Sequence, residues 1–99
     1  MNDGTFVEEV ATAIALYEQV VHRVATRTRN MVEQYGEVEA LSRLMVSPDL
    51  QQGFKALRDD NQLDKTFEAI VVRHKNLFSQ QAVEAAQWRL DHPHELLET

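Results

Sequence analysis

The sequence predicts an all-α domain, and three observations carry that expectation. Apolar residues recur at helical spacing through most of the 99 residues. Only three glycines and two prolines interrupt them. β-branched residues are frequent only where they fall on that spacing, so no alternating stretch of strand type competes. We expect one long N-terminal helix followed by about four short helices, packed as a single bundle-like domain. The division is 1–36 for the long helix, 37–92 for the short-helix unit and 93–99 for a tail.

Asp3 or Thr5 can cap the first helix. Val7, Val10, Ile14, Tyr17, Val21, Val24, Thr28, Met31 and Tyr35 then fall at alternating steps of three and four. Such heptad spacing holds one stripe toward a single partner helix. Gly36 ends the helix, because glycine adopts a left-handed C′ conformation without steric cost. Glu8 and Glu9 sit near the positive end of the helix dipole, and Arg27 and Arg29 nearer the negative end. A helix of about 30 residues is about 45 Å long, against a radius of gyration of about 13 Å for a compact 100-residue domain. It must protrude, bend or pair with a second copy. Phe6, Ala13, Leu16 and Val20 widen the seam and suggest two neighbours. The expected partner arrangement is a homodimer through Val7, Val10, Ile14, Tyr17, Val21, Val24 and Met31. The competing arrangement packs the same seam on the chain's own short helices.

Val38, Leu41, Leu44 and Met45 line a second helix, about 38–45. Ser47-Pro48-Asp49 is a strong helix start, with a Ser cap, Pro at the first position and an acid in the first turn. The third helix then runs to about Arg58 with Leu50, Phe54 and Leu57 on one face. Gly53 within it costs about 1 kcal/mol relative to Ala. Asp59-Asp60-Asn61 breaks the chain. The fourth helix, about 63–74, turns Leu63, Phe67, Ile70 and Val71 inward. Asn76-Leu77-Phe78 connects it to a fifth helix capped by Ser79, with Val83, Ala86 and Leu90 inward; His92-Pro93 ends it. Phe54, Leu57, Phe67, Ile70 and Val71 are expected at the centre of the core. Trp88 lies off the main stripe of its helix and is expected to widen it and pack.

Composition narrows the chemistry. The net charge is −6, which disfavours non-specific nucleic-acid binding. Cysteine is absent, which removes disulfides, thiol nucleophiles and Cys-type zinc sites. The first residues lack the positive start and apolar run of a signal peptide. The longest apolar run, Ala13 to Tyr17, is far short of a membrane span. A cytoplasmic protein with no membrane association is expected.

Chemistry-bearing motifs are sparse. His22, Arg23, Arg27, Arg29 and Asn30 form a basic cluster, read as a solvated face near a helix C-terminus. His92-Pro93-His94-Glu95 offers two imidazoles and a carboxylate, short of a fixed ligand set, so no metal is expected. Asp59-Asp60 and Glu8-Glu9 are neighbours that diverge on a helix, and no Gly-rich phosphate loop exists. Neither an enzyme nor a cofactor is expected. The second and third helices admit a helix-turn-helix reading, with Gln51, Gln52, Lys55 and Arg58 toward DNA. Against it stand a turn without glycine and the acids Asp49, Asp59 and Asp60. The favoured expectation is a small interaction or adaptor module that self-associates through its long helix and binds an unidentified protein. The alternative is a small helix-turn-helix DNA-binding protein.

Overall fold

A computed structural model describes residues 2–46 and 50–95, with side chains for 5–46 and 53–95. Among the described residues there are six α-helices and no strand. They are α1 (Asn2–Val21), α2 (Thr26–Tyr35), α3 (Glu37–Met45), α4 (Leu50–Asp59), α5 (Phe67–Arg73) and α6 (Gln80–Asp91). Short 3-10 turns, Leu63–Lys65 and Lys75–Leu77, flank α5. The helix start expected at Ser47-Pro48-Asp49 lies outside the described residues, as do Leu96, Leu97 and the side chains of Gln51 and Gln52. No described helix is long and apolar enough to cross a membrane.

The long helix expected through residue 35 is two helices. A 45 Å rod would exceed the molecule, whose longest extent is 36 Å. The break is built from the end of α1. His22 takes φ 60°, a left-handed conformation. The Arg23 N–H then donates back to the Glu18 carbonyl at 3.3 Å, the long bond of a Schellman stop. The Glu18 side chain holds the elbow from the other side. Its Oε2 accepts from the Ala25 N–H and from Arg29 Nε, each at 2.7 Å, and its Oε1 accepts from Arg29 Nη2 at 2.6 Å. The hydrogen bonds from Arg29 and Ala25 hold the Glu18 carboxyl down at about 2. The stop was illegible because histidine stands where glycine usually does.

The later corners follow their local chemistry more closely. Gly36 joins α2 to α3 at φ 85°, ψ 164°, a region open essentially to glycine alone. Asn61 ends α4 at φ 60°. There the Gln62 N–H donates to the Leu57 carbonyl at 2.8 Å and the Asn61 N–H to the Arg58 carbonyl at 3.0 Å, a complete Schellman pair. The helix expected over 63–74 divides at Thr66, whose hydroxyl accepts from the Ala69 N–H at 3.1 Å and donates to the Leu63 carbonyl at 2.7 Å. Ser79 caps α6 as expected, accepting from the Ala82 N–H at 3.2 Å.

The core forms where α1, α3, α5 and α6 meet. Phe6, Val10, Ala13 and Ile14 pack with Leu41, Leu44, Met45, Ile70, Val71, Ala82 and Ala86. Phe54 and Leu57 of α4 are buried too. Phe67 is only half-buried and packs at the margin, where the sequence pattern put it at the centre. α5 is the most enclosed element, burying Glu68, Ala69, Ile70 and Val71 in succession. Its outer end is tied to α1: Arg73 donates to Glu9 at 2.8 Å and His74 lies 3.3 Å from the same carboxylate.

The left-handed His22 carries a steric cost that glycine would not. His22→Gly is therefore expected to raise unfolding stability by about 1 kcal/mol in a urea titration. A lowered midpoint, as for glycine inside a continuous helix, would mean that the helix runs through residue 22.

Candidate functional site

The seam residues do not share one surface. Val10 and Ile14 are buried in the chain's own core, and Tyr17, Val21 and Met31 are half-buried. Val7 remains exposed on α1, and Val24 lies in the elbow at 67% exposure. The bend at His22 turns the second half of the seam onto a different helix. The physical reason is the elbow itself: a 3.5-residue stripe stays in line only on one unbroken helix. In α1 the buried set, Phe6, Val10, Ala13 and Ile14, follows the ordinary spacing of a helix packed on its own domain.

The residues of the DNA reading are similarly divided. Lys55 is exposed. Arg58 is engaged: it donates to Asp59 at 2.8 Å and to the Pro93 carbonyl at 3.1 Å, with its side chain only 10% exposed. A guanidinium fixed across two segments of its own chain is poorly placed to read a base edge. Gln51 and Gln52 fall among the undescribed side chains. Of the basic cluster, Arg29 is taken by Glu18. No group of three or more metal-ligating side chains comes together among the described residues. His92 instead stacks on Trp88, with ring centroids 4.4 Å apart.

Trp88 departs most from its expected place. It is 47% exposed rather than packed in the core. The cause is helical phase. α6 turns Ala82 and Ala86 inward, and Trp88 sits two residues, about 200°, from Ala86. Small alanines let α6 approach α5 closely and leave no room there for an indole. The outward indole is held in place by the His92 ring, whose Nδ1 lies 2.9 Å from the Trp88 carbonyl. Glu84 and Asp91 lie on the same helix face at one turn before and after Trp88, and both are exposed. Glu95 lies 3.7 Å from His92. The result is an exposed aromatic pair with carboxylates nearby, of which Glu84 accepts from Gln80 at 2.8 Å and Asp91 from Gln87 at 3.0 Å.

Sequence reading missed a second feature, the buried Glu68. Its side chain is fully covered. Oε2 accepts from Arg89 Nη1 at 3.2 Å, and Arg89 Nη2 donates to the Met45 carbonyl at 2.7 Å. Oε1 has no hydrogen-bond partner. Burial raises its carboxyl to about 7, outweighing its own backbone N–H and the Arg89 charge, which act to lower it. A signal was present in the sequence. Glu68 is the single acid in the run Phe67 to Val72, and a short helix apolar on all sides is a buried helix.

Stability should therefore respond to pH through Glu68. The folded carboxyl titrates near 7 and the unfolded one near 4.5. The folded state holds the extra proton between these values, so this contribution is full below about 4.5 and is lost as pH rises through about 7. The loss is roughly 3 kcal/mol. Urea midpoints are expected to fall from about pH 5 to about pH 8 in the native protein. In Glu68→Gln they should fall distinctly less. Parallel profiles for the two proteins would show that Glu68 is not buried as described.

In comparisons with known proteins, no family model, no curated protein and no solved structure matches this chain.

Proposed function

We propose that this chain is a non-catalytic helical interaction module whose docking face is the outer side of α6. The observation that carries the reading is Trp88, a large aromatic held outward by a stacked imidazole instead of packed in the core. Exposed tryptophan is costly in solution and is enriched among residues that dominate binding energy. The surroundings favour a basic partner. Glu84, Asp91 and Glu95 are exposed around it, and the chain carries −6 overall. A basic peptide segment fits: Lys or Arg over the indole face gains a cation–π contact, and flanking basic residues meet the carboxylates. The carboxylates disfavour duplex DNA at this face.

Trp88 is the single tryptophan of the chain, so its fluorescence reports on this face alone. Random 12-residue peptides displayed in a library should enrich for Arg and Lys around an apolar residue. A selected peptide should shift the emission of Trp88. Its affinity should drop at least tenfold for Trp88→Ala and decline with rising salt. Selection of peptides without basic residues, or equal binding by Trp88→Ala, would overturn the reading. Sedimentation equilibrium covers the other occupant. A dimer that dissociates in Trp88→Ala would make a second copy of the chain, not a basic partner, the molecule on this face.

A further inference from the structure

A cavity of about 70 Å³, open to solvent on one side, lies between α1, the elbow, α4 and the start of α5. Its floor is apolar, set by the buried Ile14, Leu44, Phe54 and Leu57. A space of this size holds several waters or a short aliphatic chain. The buried polar groups of the wall are already committed. The Thr66 hydroxyl accepts from the Ala69 N–H and donates to the Leu63 carbonyl. The Glu68 side chain is fully covered and its Oε2 is taken by Arg89, so it presents no surface to an occupant.

The mouth has the opposite character. Arg27 is the one exposed residue among the described residues of the wall, with the half-buried Ala25 and Thr28 beside it. These residues form the start of α2, with Ala25 at the N-cap. A helix start carries partial positive charge on N–H groups that have no intrahelical acceptor. A capping oxygen or an acid usually meets it. α2 has neither: Ala25 supplies no side-chain cap, and no acid stands in the first turn. Both oxygens of Glu18 are engaged, by the Ala25 N–H and by Arg29. Arg27 already has an interaction within the chain. Its guanidinium carries five N–H donors, more than one partner takes up.

Gly53 widens the opening. It stands inside α4, where glycine is less favourable than alanine. Packing does not require it: a Cβ there would meet only the Tyr17 ring carbons, at 3.8 Å, an ordinary contact. What the missing side chain does is leave the cavity wall open beside Tyr17.

We propose that this cavity binds a short straight-chain carboxylate, its hydrocarbon lying against Ile14, Phe54 and Leu57 and its carboxylate at the mouth, facing Arg27 and the start of α2. The apolar floor rewards methylene groups and offers a charged head no donor, so the chain enters tail first. At the mouth a carboxylate keeps part of its water and gains a charged N–H donor. An ammonium group in the same place would meet like charge. The site is independent of the α6 face, since none of Glu84, Trp88 and Asp91 lines it.

The test uses three probes of one chain length: pentanoate, 1-pentanol and n-pentylamine. Binding is followed by amide chemical shifts in a titration of the full chain. Pentanoate should shift residues around the cavity and saturate at a concentration about tenfold or more below 1-pentanol, the strength of one charge-assisted hydrogen bond. Pentylamine should bind no better than the alcohol. Rising salt should narrow the gap between acid and alcohol. Arg27→Gln should bring the acid close to the alcohol and leave the alcohol unchanged. Gly53→Leu fills the opening with a better helix former and should abolish binding of both in a folded protein. Equal affinity for acid and alcohol in the native protein, or an acid advantage that survives Arg27→Gln, would overturn the proposal. So would pentanoate shifts unchanged in Gly53→Leu, or a pentanoate titration that leaves the cavity residues unmoved.

Discussion

The rest of the structure depends on the ion pair between Glu68 and Arg89. It joins three helices through two side chains: Glu68 from α5, Arg89 from α6, and the Met45 carbonyl at the end of α3. The guanidinium is well suited to this because its fork can meet a carboxylate and a carbonyl together. Burying two charges is expensive, and such a pair adds little net stability compared with apolar packing. Its effect is on choice of arrangement. A slip of α6 along α5 would part Arg89 from Glu68 Oε2 and from the Met45 carbonyl, leaving buried polar groups without their partners. The pair therefore sets the register of α5 against α6, and with it the face that α6 shows to solvent.

A second constraint is that the chain turns sharply using few special residues. Gly36 makes one corner by a conformation closed to other residues. His22 and Asn61 make two more in left-handed geometry, each closed by hydrogen bonds back to the preceding helix. The elbow after α1 has an added clamp, since Glu18 satisfies an orphan N–H at the start of α2 and holds Arg29 at once. These turns fold what would be a protruding rod into a molecule in which α1, α3, α5 and α6 share a core, with Met31 and Val32 of α2 packed against it.

The same packing leaves two unlike features at its margins. On α6, alanines facing inward bring the helix close to α5 and put Trp88 outside among carboxylates. Between α1 and α4, Gly53 and a half-buried Tyr17 leave a space that the core does not fill. One is an exposed aromatic surface with carboxylates nearby; the other is a small, mostly apolar cavity. Neither depends on a long helical seam, whose central residues, Val10 and Ile14, are used internally.

The sequence by itself determined the helical class, because the 3.6-residue spacing of apolar positions is a local property. It also determined the features written in local chemistry: the stop at Gly36, the break at Asn61, the Ser79 cap, and the burial of Phe54, Leu57, Ile70 and Val71. Tertiary structure alone decided the rest. The bend at His22 rests on a carboxylate that reaches across seven residues to the Ala25 N–H and eleven to Arg29. The margin position of Phe67 and the outward Trp88 depend on which helix lies against which, and spacing along one helix cannot say that. The apolar run around Glu68 hints at its burial, but its partner Arg89 lies 21 residues later on another helix. A buried charge is legible only when its partner is known, because the energy that permits it belongs to the pair and to the dry space around it.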